Sequence, residues 1–177
     1  GNICDMALLS SICQNFNITI IEDSTEALGS FYDGKHAGTF GTFGCFSFNG
    51  NKLLTTGGGG MIVTDNKELA KKAKHLTTQA KADPFEYIHD EIGYNYRLVN
   101  VLAAIGVAQM EKIDEFLASK LETARFYASE LGSINDISVQ NIDSNVTPNN
   151  WMFTIKSKAH KKELIQHLLD NGIQIRP

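Results

Sequence analysis

Apolar residues at Met6, Leu8, Leu9 and Ile12, behind an acid at Asp5, predict an amphipathic helix over Asp5–Gln14. The β-branched run Ile18, Ile20 and Ile21 predicts a strand that ends in two acids, Glu22 and Asp23. Turn residues at Asp33–Gly34 and near Gly38 break up Phe31–Gly41 as a hairpin, with Lys35 and His36 expected in solvent. Phe43, Cys45, Phe46 and Phe48 form the next apolar run, which ends in a polar turn carrying Lys52. Thr55, Thr56 and the glycines Gly57–Gly60 follow, and a β-branched strand resumes at Met61–Thr64. Asn66–Leu76 reads as a helix whose basic stripe (Lys67, Lys71, Lys72, Lys74) is a solvated face. Thr77–Glu91 is polar, contains Pro84 and reads as a loop.

From Arg97 to Leu131 the period is helical throughout. Leu98, Val101, Leu102, Ile105, Ala108, Gln109 and Ile113 trace one face, which Leu117, Leu121, Ala124 and Leu131 continue. A stretch of this length is expected to break or bend near Asp114–Ser119. Ile134–Asn150 reads as irregular, Trp151–Ile155 as a strand, and Ala159–Leu169 as a helix with Gly172 as its C′ residue. A further strand is expected to start at Ile173 and Ile175. Alternating helices and strands of this kind make the class α/β.

Composition narrows the picture without changing it. With 177 residues, 42% hydrophobic and 20% charged, the chain can bury a real core. A net charge of −4 argues against a general nucleic-acid surface. No apolar run approaches the ~18 residues of a membrane span, so a cytoplasmic protein is expected. Its first residue, Gly1, reads as a cut or processed end. Cys4, Cys13 and Cys45 include no C-x-x-C pair, which suits reduced thiols. None of the five histidines pairs with a cysteine at ligand spacing, so no metal is expected.

The candidate chemistry gathers at two places. Open α/β sheets bind ligands at the carboxyl ends of their strands, and Asp23 stands at such an end. Its alternative role is the N-cap of a helix over Ser24–Ser30, in which Glu26 would be the N3 residue. Lys52 sits at a turn beside a glycine-rich loop whose backbone can take positive φ. A lysine there can meet a phosphate or form a Schiff base with an aldehyde, the alternative being a surface lysine. The order is wrong for a P-loop, because the lysine precedes the glycines. A nucleotide site on Gly57–Gly60 would need a helix opening directly after them, and the β-branched Ile62 and Val63 oppose that.

Five segments share a further feature: IEDSTEALGS (Ile21–Ser30), DGKHAGTFG (Asp33–Gly41), CFSFNGNKLLTTGGGGMIVT (Cys45–Thr64), GYNYR (Gly93–Arg97) and NVLAAIGVAQMEKIDEF (Asn100–Phe116). In order and spacing they resemble the DegT/DnrJ/EryC1/StrS family of pyridoxal-phosphate (PLP) sugar aminotransferases. The resemblance implies an α/β protein of PLP-transferase fold type I. Residues 1–116 would be the C-terminal portion of a PLP-binding large domain with a mixed sheet. Residues 117–177 would be a linking helix and an incomplete small α/β domain.

The same resemblance implies roles for single residues. Lys52 would be the Schiff-base residue and, once released, the base that moves the proton. Asp23 would pair with the PLP pyridine nitrogen, and Ser47 would bind the cofactor phosphate. Glu26 stands where the family often has Gln, near the cofactor's phenolic oxygen; an ionised carboxylate there only accepts hydrogen bonds. Asn49 stands where the family commonly has His. Asn95 would reach the PLP phosphate of a neighbouring subunit, which makes a homodimer with a shared active site. The implied reaction moves an amino group from glutamate to a keto-sugar carried by a nucleotide diphosphate. Lys52 separates it from the family's dehydratase branch, which lacks this lysine. Family members carry a roughly equal length ahead of Gly1 and continue past Pro177. The alternative expectation is therefore a truncated, non-catalytic fragment that folds and dimerises without binding PLP productively.

Overall fold

The computed structural model describes residues 1–83 and 85–177. Helix α1 (Met6–Asn15) forms where the amphipathic pattern predicts it. Asp5 is its N-cap, and its Oδ1 accepts from the Leu8 N–H at 2.9 Å. The Tyr32 hydroxyl donates to the same oxygen at 2.8 Å, which ties the helix start to strand β2 (Phe31–Tyr32). Met6, Tyr32 and Val146 form one buried cluster around this tie.

The central sheet is mixed, as expected. Strand β4 (Phe43–Ser47) runs parallel to β1 (Ile21–Asp23) and antiparallel to β5 (Gly60–Val63). Its buried side chain, Phe46, packs with Phe48 and Leu54 under Leu28, Val63 and Ile113. Gly44 has no alternative: a Cβ there would lie 2.0 Å from the Gly38 carbonyl oxygen. Glu22 holds the chain that crosses above. Its carboxylate accepts from the N–H groups of Gly38, Phe40 and Gly41, each at 2.6 Å.

The expected hairpin joins β2 to β3 (Lys35–His36), with φ of 47° at Asp33 and 76° at Gly34. Positive φ at both central residues is the I′ geometry that Asp-Gly favours. His36, expected in solvent, instead packs inward. Its Nε2 accepts from the Gly29 N–H at 2.8 Å, and its ring meets those of Phe31 and Phe46 at 5.0 and 5.7 Å. Pairing with Phe31 in the register of the hairpin carries the imidazole over the core. Lys35 is exposed as expected.

No helix forms over Ser24–Ser30. Successive turns close through Ala27 N to Ser24 O and Ser30 N to Ala27 O, and Gly29 has φ 78°. Among the described residues Asp23 Oδ1 accepts from Thr25 N alone, at 3.3 Å, as an Asx-type turn rather than a helix cap.

Helix α2 (Lys67–Thr77) is capped by Asn66, and its lysine stripe is exposed. Most of the Thr77–Glu91 stretch is loop as expected; Pro84 lies outside the described residues. The long helical pattern is two helices, α3 (Asn100–Met110) and α4 (Ile113–Leu131). The break falls at Glu111–Lys112, ahead of the expected Asp114–Ser119. Two anchors flank it: Gln109 reaches the Thr55 N–H at 2.8 Å, and Ile113 enters the Phe46 cluster.

The last third departs most from expectation. Residues Ile134–Asn150 contain two strands, β6 (Ile137–Val139) and β7 (Val146–Thr147). The later strand, β8, covers Ile155–Ser157 rather than Trp151–Ile155, and it pairs antiparallel with β6. Strand β7 returns to β2, setting Val146 opposite Tyr32. Helix α5 (Lys161–Asp170) ends in a Schellman motif, with Ile173 N on Leu168 O at 2.8 Å, Gly172 N on Leu169 O at 3.0 Å, and Gly172 at φ 75°. Ile173 and Ile175 follow it in irregular chain, not in a strand.

Candidate functional site

The parallel pairing of β1 with β4, Asp23 opposite Cys45, brings two carboxyl ends together. Asp23 leaves one strand and Ser47 the other. Beyond Ser47 the chain turns through Asn49–Lys52, closed by Lys52 N on Asn49 O at 3.1 Å. The glycine loop then brings it back. Phe48 N donates to Gly59 O and Thr56 N to Phe48 O, both at 3.0 Å, with Gly57 and Gly59 at φ 81° and 85°. A Cβ on Gly60 would lie 2.3 Å from the Phe46 carbonyl oxygen, so β5 can approach β4 only without one. These glycines let the chain return from the Lys52 turn into β5.

Lys52 is well shielded, its side chain 15% exposed. Its Nζ lies 3.2 Å from Glu26 Oε1 and 4.7 Å from the centre of the Trp151 indole. The cation therefore faces a carboxylate on one side and an electron-rich ring on the other. Glu26 is 57% exposed, so water screens the ion pair. The Trp151 Nε1–H donates to Asn51 O at 2.6 Å, just ahead of the lysine. A small cavity beside the amine is bounded by Thr25, Glu26, Ser47, Lys52, Asn149 and Trp151.

The structure thus gathers Glu26, Ser47 and Lys52 around one cavity. Asp23 is exposed at the adjacent strand end, outside the cavity wall. The Ser47 Oγ accepts from Asn49 N at 3.3 Å, and Asn49 Nδ2 donates to Asn51 Oδ1 at 3.2 Å. Asn95 lies elsewhere. It is exposed, bridges Thr78, and its Oδ1 accepts from Arg97 N at 3.4 Å. Its neighbours Tyr94 and Tyr96 stack at 5.4 Å and are exposed.

Two residues of the site escaped the sequence reading, Asn149 and Trp151. They arrive on the segment after β7, more than a hundred residues beyond Glu26, and no local pattern signals that return. The only cue was that Trp151 is the chain's one tryptophan.

A second polar cluster lies on α2. His75 Nε2 and Asp90 Oδ1 are 2.6 Å apart, and Lys72 pairs with Glu91. The His75 contact holds the Asp90 carboxyl below its ordinary range. Ligand atoms of His75, Asp90 and Glu91 lie within 4.8 Å of one another, but Lys72 already occupies Glu91. The cluster fastens the 77–91 loop to the helix.

Known proteins are similar to this chain in sequence and fold. The chain is 42% identical over 179 residues to GDP-perosamine synthase of Escherichia coli O157:H7, covering 100% of this chain and 49% of that protein. It is 34% identical over 182 residues to UDP-4-amino-4,6-dideoxy-N-acetyl-beta-L-altrosamine transaminase of Campylobacter jejuni, covering 99% of this chain and 48% of that one. The crystal structure of the aminotransferase TlmJ from Streptoalloteichus hindustanus superposes with a TM-score of 0.93 at 26% identity, over 100% of this chain and 50% of that one. The chain spans about half the length of the curated relatives it matches. The fold class is the expected one, α/β of PLP-transferase fold type I. With the family model matching residues 1–177, the chain belongs to the DegT/DnrJ/EryC1/StrS aminotransferase family.

Proposed function

We propose that the protein transfers an amino group from glutamate to the keto group of a nucleotide-linked sugar, with pyridoxal phosphate as cofactor and Lys52 as the residue bonded to its aldehyde carbon. One observation carries the reading: a shielded lysine amine stands at the carboxyl end of the sheet, 3.2 Å from a carboxylate. The donor set fits the cofactor. Lys52 offers an amine for the aldehyde, Asp23 a carboxylate for the ring nitrogen, and Ser47 a hydroxyl for the phosphate. Glu26 stands beside the amine and would be the residue near the phenolic oxygen. When bound, pyridoxal phosphate supplies the electron sink for charge left at the amine-bearing carbon.

The residues divide the work. Asp23 would hold the ring nitrogen by accepting its hydrogen bond, which favours the protonated ring. Lys52 would hold the cofactor through its amine and, when not so engaged, would serve as the base that carries a proton. Trp151 and the Asn49–Lys52 turn narrow the access of water to that amine. The names of the relatives, a GDP-perosamine synthase and a UDP-sugar transaminase, support a nucleotide-linked sugar as substrate.

Assembly belongs to the same proposal. Asn95, exposed on the 93–97 segment, reaches the cofactor phosphate held by a second copy, so two chains share their sites as a homodimer. Residues 1–116 serve as the C-terminal portion of the cofactor-binding domain and 117–177 as the linking helix and part of a smaller one. A cytoplasmic location is proposed with them; among the described residues no helix is long and apolar enough to cross a membrane.

The test is peptide mapping after borohydride reduction of the full-length protein incubated with pyridoxal phosphate. A pyridoxyl adduct on Lys52 is expected. Folded protein without that adduct overturns the assignment.

A further inference from the structure

Asn149 is 1% exposed, and every polar group on its side chain is used. Its Nδ2 donates to Glu26 O at 3.0 Å and to Leu28 O at 2.9 Å. Its Oδ1 accepts from Trp151 N at 3.0 Å. Its backbone N–H donates to Ser30 Oγ at 3.0 Å. One buried amide therefore holds the backbone of both residues that flank the Lys52 amine. Only an amide suits the position: two carbonyls demand donors and one N–H demands an acceptor. The indole is then fixed at its far end by the bond from Nε1–H to Asn51 O, one residue before Lys52.

We infer that Asn149 and Trp151 are positioning residues for the Lys52 amine, forming with Glu26 a clamp that seats its ammonium between the indole face and the carboxylate. The face of an aromatic ring attracts a cation and has no comparable pull on an amine. A carboxylate behaves the same way. The clamp gives the lysine side chain a defined resting place at the edge of the cavity. Strand β7, by pairing with β2, is what delivers both residues from the far part of the chain. The inference rests on the reading of Lys52 as the reacting amine, but its test does not require the cofactor.

In cofactor-free full-length protein, the indole N–H resonance of Trp151 is assigned by its loss in Trp151→Phe. Lys52→Met is expected to shift that resonance, because the ammonium leaves the ring face. Reductive methylation with formaldehyde, mapped by peptide, reads the accessibility of Lys52 against the exposed Lys67. Trp151→Leu is expected to raise the relative labelling of Lys52 about threefold, the scale of one cation–π contact, and Trp151→Phe by less. Asn149→Asp, which puts a carboxylate oxygen against two carbonyls, is expected to raise it further. Should Asn149→Asp fail to fold, the two Trp151 variants decide the matter. In the loaded enzyme, Trp151→Leu is expected to lower kcat while leaving the KM for the amino donor unchanged. Unchanged Lys52 labelling in folded Trp151→Leu, with an unshifted indole resonance in Lys52→Met, overturns the clamp. Failure of the borohydride adduct is a separate outcome, since it leaves the labelling pattern untouched.

Discussion

Lys52 and Glu26 are 26 residues apart in sequence, yet their charged atoms meet at 3.2 Å across the carboxyl ends of two parallel strands. The pair is half open to water on the Glu26 side. Exposed ion pairs contribute little to stability, so Glu26→Gln is expected to change the unfolding free energy by less than about 1 kcal/mol. The same substitution puts an amide donor next to the amine. Because it removes the carboxylate that faces the amine, it is expected to lower turnover in part, whereas Lys52→Ala abolishes it. Urea denaturation and a coupled glutamate assay on the full-length protein separate the two effects.

Asp23 accepts only one backbone N–H at 3.3 Å and precedes no helix, so capping does not account for it. Asp23→Asn is expected to leave the fold intact and to lower turnover by about a hundredfold or more, the scale of a lost acid–base partner. A near-normal rate would return Asp23 to a structural role.

Glu22 makes three charge-assisted bonds of 2.6 Å to the 38–41 segment. Glu22→Gln keeps the shape but loses the charge and must turn one N–H toward the loop. A destabilisation of about 2–4 kcal/mol is expected, visible as a lower urea midpoint without a change in cofactor attachment.

Part of the acid sensitivity is expected at α1. The Leu8 N–H and the Tyr32 hydroxyl hold the Asp5 carboxyl below its ordinary value, and the Asp5 bond raises the Tyr32 phenol. A carboxyl with a depressed folded-state pKa adds stability above its ordinary value, and loses it as pH falls through the folded one. Stability is therefore expected to fall on acidification below about pH 4, and less steeply in Tyr32→Phe. Thermal melts of both proteins at pH 3 and pH 6 check this.

Local pattern and chemistry carried much of the architecture into view. The Asp5 cap, the Asp33–Gly34 turn and the Gly172 cap each depend on a few adjacent residues, while the mixed sheet was legible through the resemblance. What stayed hidden depends on distant partners. Strands β6, β7 and β8 have two or three residues each, too short for a period, and exist because of where their partners lie. His36 faces inward because Phe31 and Phe46 wait for it. Lys52, Glu26 and Ser47 were legible as a group through the resemblance, but Asn149 and Trp151 were not, since only the pairing of β7 with β2 brings them back.

Asn95 tests the assembly. It is exposed, apart from the cavity around Lys52, and followed by an exposed aromatic at Tyr96 and an exposed helix face at Val101 and Ile105. Under the proposed homodimer, each site takes Lys52 from one chain and Asn95 from the other. Asn95→Ala and Lys52→Ala are then each expected to be impaired alone. Refolded together, half of the dimers are hybrids, and each hybrid has one site with both residues intact. About a quarter of wild-type activity is expected, from random pairing in a two-fold dimer. Activity no higher than the sum of the separate variants would mean that each chain completes its own site, and Asn95 would then have to act on the chain that carries it.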